Sequence, residues 1–216
     1  MKSAAVFFDV DGVLIDSLDA KGEAFADLFP PQFRRDVIAF HLANGGLNRA
    51  EKIARISMEI QGKVLSDAEI REMVDQFAAV VPARVAAADE IPGATDCLAG
   101  LSRLLPLHAV SAVPEMELRE VLESRGIRHF FTSVHGVPPA KEETLKRLIR
   151  EHEYLPYRCA FIGDSFHDGD AASAAGVPFI FVRRTGQRSP REAVCVVNDL
   201  RGLDSVIINL LAGGEV

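Results

Sequence analysis

The sequence has no tryptophan, two tyrosines and only three cysteines in 216 residues. Cys97, Cys159 and Cys195 are odd in number, far apart and without CxxC spacing. That pattern favours reduced thiols in a cytoplasmic protein over a disulfide framework or a zinc site. Six histidines show no HExxH-type spacing. No run of about eighteen apolar residues occurs, so no membrane span is expected. The opening MKSAAVFFDVDG carries one lysine and reaches aspartates at once, so no signal peptide is expected. Basic runs are also missing. Lys and Arg number 24 against 31 Asp and Glu, a formal net charge of −7. That balance argues against a nucleic-acid partner. It leaves phosphate-bearing small molecules open, because a bound cation reverses the local field. There is no internal repeat and no low-complexity stretch.

What is present is a soluble globular composition, with 48% apolar and 25% charged residues. A chain of this length buries roughly 70% of its unfolded surface, enough for a core without staples. Residues 4–8, Ala-Ala-Val-Phe-Phe, read as a buried strand. Residues 21–29, 34–42, 48–60 and 66–88 carry apolar residues at three- and four-residue spacing and read as helices. No strand is expected between 17 and 90. After Ile91-Pro92-Gly93 the pattern alternates. Strands are expected at 107–111, 130–134, 159–162 and 179–182, with helices at 115–125, 142–152 and 168–175. Alternation of this kind predicts an α/β fold, a Rossmann-like parallel sheet covered by helices. The first strand has no partner in the helical stretch and is expected to join that sheet. Residues 1–16 and 92–216 then form the core, and 17–91 an inserted all-helical cap. Residues 185–190 are polar and rich in turn formers, and read as a loop. Phe25, Phe29, Phe77 and Phe161 read as core.

Ligands of an open parallel sheet bind beyond the carboxyl ends of its strands. The residues there are Asp9, Asp11 and Gly12, then Ser111, then Lys141, then Gly163, Asp164, Ser165 and Asp168. Four carboxylates, two hydroxyls and a lysine are thus expected at one edge. Each alone has a bland reading as turn, cap or solvated side chain. A calcium loop at Asp9 fails, because Val13, Leu14 and Ile15 stand where oxygen ligands would be needed.

The stretches FFDVDGVLIDS, VSAVPE, PPAKEETL and FIGDSFHDGDAASAAG resemble the four ordered motifs of the haloacid dehalogenase superfamily. The likeness runs from the first strand to about residue 182, and the insertion is similar to the helical cap of the phosphoglycolate phosphatase and β-phosphoglucomutase branch. Two departures stand out: Val113, where many relatives have a small or amide residue, and Glu142 after Lys141, where many have proline. The resemblance implies Asp9 as a nucleophile toward phosphorus and Asp11 as acid and then base. It implies Mg²⁺ held by Asp9, the Asp11 carbonyl and Asp164, with Asp168 acting indirectly or through water. Lys141 would neutralise the carboxylates and the phosphoryl group. Ser111, with backbone N–H groups including that of Ala112, would bind phosphoryl oxygens beside Gly12. This chemistry suits the residue types. Asp11, two residues from Asp9, is expected to face away in a regular strand unless a turn at Gly12 redirects it.

Asp11 favours phosphate esters over haloacids or phosphonates, whose enzymes have other residues there. In the insertion, Asn44-Gly-Gly-Leu-Asn-Arg-Ala-Glu-Lys52 is the stretch expected to touch substrate. Arg49 resembles a mutase arginine that grips a distal phosphate, a task suited to guanidinium. Lys21 stands where the mutase hinge usually carries histidine, which lowers the mutase reading. Both Lys21 and the turn holding Arg49 and Lys52 read by default as solvated. The expected function is hydrolysis of a small phosphorylated metabolite by a monomer or homodimer. The alternatives are a phosphomutase, a receiver domain and a catalytically silent binding protein.

Overall fold

The structure is a computed structural model and describes residues 3–45, 47–184 and 186–212. Gly46 of the glycine pair and Thr185 at the start of the expected loop lie outside the described residues. In chain order the elements are β1 (Ala5–Phe8), α1 (Leu18–Ala26), α2 (Arg34–Ala43), α3 (Arg49–Gln61), α4 (Asp67–Ala87) and α5 (Ala94–Ser102). There follow β2 (Leu107–Pro114), α6 (Glu115–Ser124), β3 (Ser133–Val137), α7 (Lys141–Glu151), β4 (Cys159–Gly163), α8 (Phe166–Ala175), β5 (Phe179–Val182), β6 (Ala193–Val197) and α9 (Leu203–Leu211). The chain divides into two compact units, one from the segments up to Asp16 and from Glu90 onward, the other Ser17–Asp89.

The first unit is built on a six-stranded sheet in the order β3-β2-β1-β4-β5-β6. Every pairing is parallel. Parallel strands are covered on both faces, so they favour unbroken apolar runs, and all four residues of β1 are buried. β1 lies in the middle, paired with β2 on one side and β4 on the other. The chain therefore reverses its direction of travel across the sheet beside β1, and a crevice opens beyond its carboxyl end. On one face Phe7, Phe161, Phe179 and Phe181 pack with Leu145 and Leu148 of α7 and Ala171 and Ala172 of α8. Burying a phenylalanine of this kind contributes roughly 1.5–3 kcal/mol.

The helical unit has its own interior. Phe25 and Phe77 meet at a tilt of 35° with ring centroids 4.2 Å apart, and Val37, Ile53, Ile56 and Val81 are fully buried. Asn48 caps α3, its side chain accepting the Glu51 N–H at 3.0 Å. Ser66 and Glu69 close a reciprocal capping box at the start of α4. No helix among the described residues is long and apolar enough to cross a membrane.

Three local expectations change. The third strand begins at Ser133, not Phe130, because Arg128–Phe130 forms a 3-10 turn. Phe131 still buries, edge-on to Phe8 at 6.3 Å, but does so from a loop. The boundary between units falls at Asp89 and Glu90, two residues before Ile91-Pro92, because Ile15 bridges Glu90 and the Ile91 N–H bonds the Leu14 carbonyl. Finally, α5, β6 and α9 go beyond the elements expected.

Candidate active site

β1 ends at Phe8, so Asp9 is the first residue past the strand, where its N–H still bonds the Ile162 carbonyl of β4 at 2.9 Å. The chain then closes a tight turn in which the N–H groups of Val13, Leu14 and Ile15 all point at the Val10 carbonyl. Gly12 takes φ +74° in that turn. Its N–H donates to the Ile15 carbonyl at 2.8 Å, so Gly12 shapes the turn and does not offer that donor to phosphate. The expected opposition of Asp9 and Asp11 is also corrected, since residues two apart in a strand share a face. Both lie in the turn, and the Asp11 charge is felt by Asp9 and by Asp164.

Lys141, the first residue of α7, ties the corner together. Its Nζ lies 2.6 Å from Asp9 Oδ2 and 2.6 Å from Asp168 Oδ1. Asp168 is fully buried. Its second oxygen, Oδ2, accepts from the Ser165 hydroxyl at 2.6 Å and the Ser165 N–H at 3.2 Å, completing a capping box on α8. Asp164 is the residue between β4 and that cap. Asp9, Asp164 and Asp168 each present a carboxylate oxygen, and the three atoms lie within 4.8 Å of one another.

The charges do not balance: three carboxylates face one ammonium. Burial pushes the Asp9 carboxyl up to about 6, against the pull of Lys141, with Asp168 and Asp11 pushing the same way as burial. Burial likewise drives Asp164 well above the ordinary carboxylate range, helped by Asp168 and Asp9. Burial alone would lower Lys141, yet Asp168 and Asp9 hold it above the usual lysine value. An all-oxygen donor set with surplus buried negative charge fits a hard divalent cation such as Mg²⁺. Asp168 already spends both oxygens, one on Lys141 and one on Ser165, so it suits an indirect role.

Ser111 is buried on β2, its Oγ 3.4 Å from the Val113 N–H. β2 runs on to Pro114, but its ladder to β3 breaks. Val110 pairs with His135 and Pro114 with Val137, so residues 111–113 stand opposite Gly136 alone. Such a bulge takes backbone N–H groups out of the ladder, and Ala112 is inside it. Two glycines make room for this corner. A Cβ on Gly136 would lie 2.3 Å from the Val113 carbonyl oxygen, and one on Gly163 2.5 Å from the Asp168 Cβ. Gly136 escapes a reading from sequence, because its need arises only when β3 meets the bulge.

Asp9, Asp11, Asp164, Asp168 and Lys141 thus meet, with Ser111 and Ala112 on the strand next to β1. Arg49 belongs to the helical unit, where its guanidinium lies 4.5 Å over the Phe77 ring. The default solvated reading fails for two neighbours. Lys21 is buried, and Lys52 is 3% exposed with its Nζ 3.1 Å from His41 Nδ1. The Lys52 ammonium also lies 5.2 Å over the Phe25 ring, inside the helical unit.

Residues 4–176 match the family model of haloacid dehalogenase-like hydrolases. The chain is 28% identical to phosphoglycolate phosphatase of Synechococcus elongatus over 180 residues, covering 80% of each chain. It is 29% identical over 195 residues to phosphoglycolate phosphatase of Photorhabdus laumondii, covering 82% of this chain and 78% of that one. Its fold is shared with the crystal structure of CbbY from Rhodobacter sphaeroides in complex with phosphate. That likeness has a TM-score of 0.75 and 20% identity over 94% of this chain and 96% of the other. The protein belongs to the haloacid dehalogenase-like hydrolases, in the branch similar to phosphoglycolate phosphatase.

Proposed function

We propose that this chain is a Mg²⁺-dependent phosphatase that hydrolyses a small phosphorylated metabolite through an aspartyl-phosphate on Asp9. The observation that carries the reading is the Lys141 ammonium, 2.6 Å from both Asp9 and Asp168, inside a cluster with unbalanced negative charge. Asp9, the Asp11 carbonyl and Asp164 would hold Mg²⁺, with Asp168 supporting from behind. When bound, the cation offsets the repulsion between carboxylate and phosphate.

A carboxylate oxygen of Asp9 attacks phosphorus as the bond to the leaving oxygen breaks. Asp11 gives its proton to that oxygen. Ser111, the Ala112 N–H and Lys141 take up charge on the phosphoryl oxygens. Asp11, now ionised, removes a proton from water, whose oxygen attacks phosphorus. The Asp9–phosphorus bond breaks, inorganic phosphate leaves and the Asp9 carboxylate is restored. The helical unit, Ser17–Asp89, acts as the cap, and Arg49 is its candidate contact to a second anionic group of the substrate.

Phosphoglycolate and sugar phosphates are the first substrates to test, given the names of the similar proteins. A cytoplasmic monomer or homodimer without nucleic-acid or membrane partners fits the composition. The test is phosphate release across a panel of phosphorylated metabolites, with and without Mg²⁺. Release that survives in Asp9→Asn would falsify the mechanism. Isomerisation without net phosphate release would move the chain to the mutases.

A further inference from the structure

The loop leaving β5 holds a side chain that no motif contains. Gln187 Nε2 donates to the backbone carbonyl of Asp164 at 2.9 Å. Its Oε1 accepts the Arg184 N–H at 3.1 Å, and its own N–H donates to the Arg184 carbonyl at 3.1 Å. We propose that Gln187 is a positioning residue for Asp164, holding the carboxylate of the cation site in place through its peptide group. The inference rests on the metal-dependent reading above.

The geometry makes the contact specific. β5 pairs with β4, so the segment leaving β5 runs beside the segment leaving β4. Asp164 sits between the last residue of β4 and Ser165, the cap of α8. Its carbonyl, which needs a donor when buried, takes one from the Gln187 amide. The Gln187 amide is oriented at both ends. Arg184 fixes the oxygen, which leaves the NH₂ aimed at Asp164. The loop is anchored beyond as well. The Arg183 N–H bonds Val197 of β6 at 2.8 Å, and buried Pro190 lies beside Gly169 of α8. If the Asp164 peptide turns, its carboxylate swings with it, so the amide sets a cation ligand without touching cation or substrate. Supporting contacts of this kind are worth 10–100-fold in metal affinity.

The test is calorimetric titration of the whole protein with Mg²⁺, with the melting temperature measured on each sample. Gln187→Leu and Gln187→Met keep the bulk and remove the donor. Both are expected to bind Mg²⁺ about tenfold or more weakly while remaining folded, with a melting temperature at most a few degrees lower. Turnover should recover as Mg²⁺ is raised to saturation. Arg188→Gln, an exposed neighbour in the same loop, should bind as wild type does. Mg²⁺ affinity within twofold of wild type in both Gln187 variants overturns the proposal. So does equal weakening in Arg188→Gln, which would mean a general disturbance of the loop. A wild-type chain that binds no Mg²⁺ sinks the metal reading itself, and this inference with it.

Discussion

Strand β2 carries two buried polar residues three positions apart, and they belong to different kinds of cluster. His108 is fully buried and stacks on Phe7 at 5.3 Å. Its Nδ1 lies 2.6 Å from the Ser133 hydroxyl and its Nε2 3.0 Å from the Tyr154 hydroxyl. Ser133 in turn lies 2.7 Å from His135 Nε2. Both ring nitrogens are met by neutral groups, one as donor and one as acceptor. Burial pushes His108 down to about 3, with His152 and His135 adding to it, so the ring stays uncharged. Ser111 instead stands by a corner holding three carboxylates and one ammonium. Both clusters are polar and buried, but only one is left with surplus charge. Satisfied neutral polarity fixes a strand, whereas unbalanced charge leaves a corner ready for a cation and an anionic substrate.

Asp9→Asn strikes the unbalanced corner hardest. Turnover should drop by more than about a thousandfold if Asp9 is the nucleophile proposed above. The melting temperature of the metal-free protein should hold or rise, because one buried like charge is gone. A fall of many degrees would put Asp9 in the same class as His108. Lys141→Met should cost turnover roughly a hundredfold or more. It should also destabilise the metal-free fold by about 3 kcal/mol, since it strands buried carboxylates. Phosphate release and urea unfolding check both halves.

The neutral cluster makes a prediction of opposite character. An unfolded histidine titrates near 6.5 and folded His108 near 3, so the unfolded chain binds the proton first. Its stabilising effect is fully present above about pH 6.5 and is lost as pH falls toward 3, at about 1.4 kcal/mol per unit. Burial lowers His135 as well, with Arg147 and Arg119 acting in the same direction and Glu115 and Glu151 against them. Asp9 and Asp164, being raised, contribute with the reverse sign. The informative quantity is therefore the difference in urea unfolding between wild type and His108→Gln at pH 7, 6 and 5. Equal pH slopes would refute the account of His108. Ser111→Ala should give the smallest effect, about tenfold in turnover, because the bulge keeps its backbone donors. A loss as large as that of Asp9→Asn would mean the hydroxyl does more than the phosphate binding proposed for it.

The contrast also explains what was legible in the sequence. Asp9, Lys141, Asp164 and Asp168 each sit within a few residues of a strand end, and strand ends show as apolar runs bounded by polar residues. The four long helices of residues 17–89 declare themselves by period. Long-range requirements are silent by comparison. Gly136 is needed only because β2 bulges against it, and Phe130 looks like a strand residue until Phe131 buries from a loop. Edge strand β6 lacks a continuous buried run, with Val194 and Val196 substantially exposed. Lys21 and Lys52 are charged by type and buried by context. Gln187 reaches Asp164 across 23 positions, a separation no local pattern reports.

The register of β1 bears on how the protein is born. Ala5 pairs with Cys159 and Phe8 with Ile162, so β1 receives its second neighbour only after the chain has been made through β4. At about 5–20 residues per second, that neighbour emerges roughly eight to thirty seconds after β1 does. During the interval Phe7 and Phe8 sit on an unpaired edge, while residues 17–89 have every partner of their own unit at hand. A nascent chain arrested before Cys159 would therefore offer chaperones a sticky β1, while the helical segment that follows it in sequence is already able to fold.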